Sequence, residues 1–155
     1  MLKWLPLSLL IIIIDQATKW WAISELALYE SIPVFPSFNI TLAYNHGAAF
    51  SFLAAEAGWQ RWFFVGLALV VSVALLLWLS KLKSHAKLEA ASLTLILGGA
   101  IGNVIDRFIH GYVIDFLDVY YGSYHWPIFN IADSAICVGA ALLIIDSFRK
   151  KSEQE

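Results

Sequence analysis

The chain has 155 residues, of which 60% are hydrophobic and only 14% charged, and a formal net charge of −2. A soluble domain is nearer half apolar and a quarter charged, so a mean hydropathy of +0.72 excludes an ordinary soluble enzyme. With so few basic residues there is also no basic surface for nucleic acid. The composition predicts a single integral membrane domain over residues 1–155, all-α in class. The one cysteine, Cys137, lies in an apolar run and is read as a buried structural thiol.

The first apolar segment runs from about residue 4 to 23. Lys3 followed by LPLSLLIIII imitates a signal peptide, but the chain continues DQATKWW without a small-residue cleavage site. It is therefore read as a retained spanning helix. Residues 25–58 differ in kind, holding Glu25, Glu30, Glu56, Pro33 and Pro36. Within them SFNITLAY alternates and suits one or two short surface strands. Asn45-His46-Gly47 is a turn signal, and AAFSFL at 48–53 is read as a second strand or an interfacial stretch.

The remaining spanning helices are predicted over about 62–79, 88–105 and 131–145. Basic residues cluster at Lys3, at Lys81, Lys83 and Lys87, and at Arg149, Lys150 and Lys151. The 25–58 segment has neither Lys nor Arg. The positive-inside rule then puts both termini in the cytoplasm and residues 25–58 and 106–130 on the far side.

At a helical rise of about 1.5 Å per residue, Asp15 lies roughly 18 Å beyond Lys3 and Lys19 roughly 24 Å. Asp106 lies roughly 28 Å beyond Lys87, and Asp133 roughly 24 Å from Arg149. Three helices thus bring ionisable groups towards the outer boundary, with Asp15 somewhat deeper. Charge in such places is costly and marks functional candidates.

Each candidate also has a plainer reading. Asp15 and Lys19, four apart, form a neutralising pair, with Lys19 reaching to the headgroups. Asn103, Asp106 and Arg107 close the third helix in a polar network, adjacent Asp106 and Arg107 each finding a partner elsewhere. Asp115 lies in GYVIDF, a short strand or the start of a surface element. Asp118 is a rival to it on spacing, although a solvated loop carboxylate suits it better. Asn130 or Asp133 can cap the fourth helix. The functional reading takes Asp115 and Asp133 as a carboxylate pair. Two close carboxylates cannot easily both ionise, so one activates water while the other donates a proton.

Other chemistries fit less well. His46, His85, His110 and His125 show no HExxH spacing, so neither a metal nor another cofactor is expected. Ser51 or Ser134 with Lys19 would make a serine–lysine hydrolase, without a supporting motif. Gly98, Gly99 and Gly102 suit close helix packing rather than phosphate binding. A small proton-coupled transporter is the alternative from another class; Asp15 is its only candidate midplane acid. A structural scaffold would leave the convergence of charges unexplained.

Five motifs carry a resemblance over nearly the whole chain: DQATK at 15–19, NHGAAFS at 45–51, NVIDR at 103–107, VIDF at 113–116 and FNIADS at 129–134. The chain resembles bacterial lipoprotein signal peptidase, also called signal peptidase II. The resemblance implies four spanning helices, a small periplasmic β-containing segment, and an aspartyl endopeptidase of the inner membrane acting near the periplasmic face. It implies Asp115 and Asp133 as the catalytic pair, which selects Asp115 over Asp118. It implies Asp15, Lys19, Asn45, Gly47, Asn103, Asp106, Arg107 and Asn130 as residues that support the site or contact substrate. The implied partners are diacylglyceryl-prolipoproteins, membrane lipids and globomycin-type inhibitors.

Overall fold

The computed structural model describes residues 1–47 and 58–152. Its elements are α1 (Leu5–Glu25), β1 (Ser31–Phe35), β2 (Phe38–Asn45), α2 (Trp59–Lys81), α3 (Lys87–Ile109), β3 (Val113–Tyr121), β4 (Tyr124–His125) and α4 (Ile131–Ser152). Four helices are long and apolar enough to cross a membrane. Each ends beyond its expected C-terminal bound, so Arg149, Lys150 and Lys151 belong to the last turns of α4 rather than to a tail after it. The 48–53 stretch lies outside the described residues.

α3 is the central helix: 56% of its most apolar window is buried, against 22% for each of the others. Small residues let its neighbours approach. A Cβ on Gly98 would stand 2.9 Å from the Ser8 carbonyl oxygen of α1, and one on Gly99 would stand 2.3 Å from the Ala132 carbonyl oxygen of α4. Contacts that close demand glycine. Polar side chains add register: the Ser8 hydroxyl donates to the Thr94 carbonyl across the α1–α3 seam. At one end of the bundle, Lys150 of α4 and Trp78 of α2 both bond Glu89 in the first turn of α3. The sheet packs at the opposite end.

That sheet is antiparallel, in the order β1-β2-β3-β4. The expected β-containing segment at 25–58 thus supplies only half of it. VIDF opens the longest strand, β3, because pairing with β2 satisfies its backbone and Ala22, Leu26 and Leu42 bury Ile114 and Phe116. A sequence window sees neither partner. Gly111, at φ 87°, makes the turn from α3 into β3 that other residues would resist.

β2 is bulged between Ile40 and Ala43, and β3 is irregular opposite it, where the consecutive N–H groups of Phe116 and Leu117 both donate to the Phe129 carbonyl; Ala43 pairs with Asp115 and Asn39 with Asp118. Asp115 and Asp118 thus lie on either side of this irregularity, and different side chains of β2 meet them: Asn45 bonds Asp115, and Asn39 and Thr41 bond Asp118.

Candidate active site

The site grows from the end of α3. Lys19 is buried and bonds three groups: Asp15 at 2.8 Å, Asp106 at 2.9 Å and the Asn103 amide oxygen at 3.0 Å. It is thus enclosed between α1 and α3 and does not reach to the headgroups, because two buried carboxylates hold it. Asp15 also accepts the Ala132 backbone N–H at 2.9 Å, satisfying one orphan donor of α4. Asp106 accepts Gln16 at 2.8 Å and the Ile114 N–H at 3.0 Å, so it ties α1 and β3 to α3. Adjacent Arg107 turns elsewhere and donates to the Gly47 carbonyl at 2.9 Å.

The start of α4 is the second foundation. Asn130 is its N-cap: the side-chain oxygen accepts the Asp133 N–H at 2.8 Å. Asp133 is spared capping duty and accepts the Asn103 amide at 2.8 Å. The Asn130 amide nitrogen donates to Asp115 at 2.7 Å and also reaches the Asn103 oxygen at 3.2 Å. Asn45 donates to the other Asp115 oxygen at 3.1 Å, and its own oxygen receives the Gly47 N–H at 3.0 Å.

Asp115 and Asp133 line one cavity of about 740 Å³, with Asn45, Asn103 and Arg107 beside them. Its other walls are largely apolar, including Tyr29, Tyr44, residues 126–129 and Ile136. Burial, and then the charge of neighbouring Asp133, push the Asp115 carboxyl up to about 7 from an ordinary 3.8, against the donors Asn45 and Asn130. A carboxylic acid poised near neutrality can both hold and release a proton.

Asp118 is not the solvated loop carboxylate its spacing suggested. It is 3% exposed on β3 and bonds Thr41 at 3.0 Å, Asn39 at 3.2 Å and His125 at 2.7 Å. Burial would raise it, but His125, Asn39 and Thr41 together hold it below the usual carboxylate range. Cys137 is also corrected: it is exposed and lines the cavity instead of packing in the core, because α4 turns that face away from α3. Ser134 lines the cavity too, but its hydroxyl donates to the Asn130 carbonyl and Lys19 is committed to other groups. Ser51 lies outside the described residues.

Several residues of this region escaped sequence reasoning. Gln16 had one signal, a polar side chain between Asp15 and Lys19 in an apolar span. Tyr29 and residues 126–128 had none, since long-range packing alone brings them to the cavity.

The profile of the family described as signal peptidase (SPase) II matches residues 7–149. The chain belongs to the signal peptidase II family. A lipoprotein signal peptidase of Alteromonas mediterranea is 56% identical over 99% of this chain and 86% of its own length. Another of Yersinia enterocolitica is 49% identical over 99% of this chain and 90% of its own. Among solved structures, a bacterial membrane enzyme determined by the in meso method at 2.3 Å superposes with a TM-score of 0.86 at 31% identity, covering 99% of this chain and 92% of that one. Signal peptidase II membership, with four candidate spans, makes this a multi-pass bacterial membrane protein and a peptidase. It favours signal peptide cleavage over the proton-coupled transporter.

Proposed function

We propose that this protein is an aspartic endopeptidase that removes the signal peptide from diacylglyceryl-modified prolipoproteins, cutting just before the lipidated cysteine. The observation that carries the reading is Asn130, which bonds the Asp115 carboxyl with its amide nitrogen and the Asp133 backbone with its oxygen, so that both aspartates line one cavity.

The steps follow from this arrangement. Asp133 takes a proton from a water held between the carboxyls, and the hydroxide attacks the scissile carbonyl carbon. Asp115 donates its proton to the carbonyl oxygen, giving a neutral tetrahedral diol. On collapse Asp133 gives its proton to the leaving amine nitrogen, Asp115 takes one from a diol hydroxyl, and the C–N bond breaks to leave acid and amine with both aspartates restored. The first turn of α4 favours negative charge at Asp133. Asn103 and Asn45 fix the two carboxyls, and Lys19 neutralises Asp15 and Asp106 behind them. Arg107, bonded to Gly47, holds the Asn45–Gly47 turn against the cavity, where peptide backbone would lie.

The reading places the sheet and cavity near the periplasmic face of the inner membrane and both termini in the cytoplasm. Basic clusters at the opposite end of the bundle support this orientation. A lipid-modified substrate stays in the bilayer, so its scissile bond lies near such a boundary. Tyr29, Tyr44 and Asn45 border the cavity, and on this reading globomycin-type inhibitors occupy it.

Separate Asp115→Asn and Asp133→Asn variants, purified folded and given a lipidated precursor, should each lose activity by roughly 10³-fold or more. Cleavage near the normal rate by either would sink the dyad.

A further inference from the structure

We propose that the pair formed by buried Asp118 and exposed His125 is a latch that positions residues 126–129, the apolar wall of the cleavage cavity, and thereby tunes substrate binding. The inference rests on the peptidase reading above but concerns residues outside the dyad.

β4 is only two residues long, pairing Tyr120 with His125 and Tyr121 with Tyr124. A strand that short holds poorly by its ladder alone. The chain leaves it directly into Trp126, Pro127, Ile128 and Phe129, four consecutive residues that line the cavity. Pro127 contributes no N–H. The far end of this strap is pinned, because Phe129 exchanges backbone hydrogen bonds with Leu117 at 2.8 and 3.1 Å, just before the N-cap Asn130. At the near end one backbone bond, Trp126 N–H to the Val119 carbonyl at 2.8 Å, is reinforced by the side chain of His125.

That side chain is well anchored. Its Nδ1 lies 2.7 Å from Asp118, and its ring stacks on Tyr120 at 5.0 Å. Asp118 is fixed in turn by Asn39 and Thr41 of β2. The latch therefore ties the strap, through β3, to the same strand β2 whose Asn45 bonds Asp115. A carboxylate that does not line the cavity gains a role in shaping it, through the residue before the cavity wall.

Hydrogen exchange and cleavage of a lipidated precursor by the full-length protein in lipid bicelles test this. His125→Ala should raise KM about five- to tenfold, the scale of one lost charge-assisted hydrogen bond, with kcat within about twofold. His125→Asn, whose amide can replace the Nδ1 donor, should restore KM. Amide exchange across 124–130 should rise in His125→Ala and return in His125→Asn. Unchanged KM in His125→Ala, a fall in kcat without a KM change, or no rescue by asparagine would overturn the latch. Should His125→Ala fail to fold, Trp126→Ala with and without His125→Asn decides, since an equal KM for Trp126→Ala and wild type removes the wall from substrate binding. Inert wild-type protein would sink the peptidase reading instead. In that case the exchange comparison still decides the latch: equal protection in all three proteins overturns it.

Discussion

Asn130 bonds both halves of the site, giving its amide nitrogen to Asp115 at 2.7 Å and its oxygen to the Asp133 N–H at 2.8 Å. One fully buried side chain thus caps α4 and sets the spacing between a strand carboxylate and a helix carboxylate. Asn130→Ala should lower kcat about ten- to a hundredfold, the scale of a lost hydrogen bond to a charged group. Asn130→Asp should be worse, since it brings a third carboxylate against Asp115. An Asn130→Asp protein with normal kcat on the lipidated precursor would contradict the bridging role.

The raised Asp115 carboxyl makes stability depend on pH. Its folded value of about 7 lies above the ordinary 3.8, so the folded state binds the extra proton between those values. The contribution is complete below about pH 4 and disappears as pH rises through about 7, a change on the order of a few kcal/mol. Thermal unfolding in detergent should show Tm falling over that window in the wild type, and a shallower slope in Asp115→Asn. In Asp133→Asn, the Asp115 midpoint followed by carbon-13 carboxyl titration should fall, because the neighbouring charge is gone, yet stay above 3.8 through burial.

Lys19 is the cation that pairs with both Asp15 and Asp106. Lys19→Met keeps the length of the side chain and leaves two buried carboxylates uncompensated. Destabilisation of about 3–5 kcal/mol is expected, the cost of breaking a buried pair from one side. Adding Asp106→Asn should recover part of the lost Tm. No difference in Tm between Lys19→Met and wild type would mean the network is not held by charge.

Packing at Gly99 should reach the chemistry. A Cβ there would stand 2.3 Å from the Ala132 carbonyl oxygen, which is backbone and cannot swing away. Gly99→Ala must therefore push α4 from α3, at about 1–3 kcal/mol. Ala132 is next to Asp133, so kcat should fall with Tm. A variant that lost stability but kept full kcat would separate packing from the site.

The order of polar and apolar residues determined much of this protein by itself. Runs near 20 apolar residues can satisfy their backbones in a bilayer only as helices, so four spans and the placement of basic clusters were legible. So was the convergence of Lys19, Asp106 and Asp133 towards one level, since helical rise converts position into depth. Five motifs identified the family without any contact being known. What lay beyond the sequence were relations between segments distant along the chain. Lys19 reads as a residue that reaches for water until Asp15 and Asp106 enclose it. Asp118 and Asp115 have equal standing by spacing, and only the folded chain puts Asp115 on the cavity while Asn39, Thr41 and His125 hold Asp118. The wall at 126–129 comes to the cavity because Phe129 pairs with Leu117 and His125 with Asp118. Local propensity and hydropathy depend on neighbours in sequence and so can be read from it. The shape of the cavity depends on hydrogen bonds closed across 60 to 117 residues, as between Arg107 and Gly47 or Ala132 and Asp15, and only the folded chain decides those.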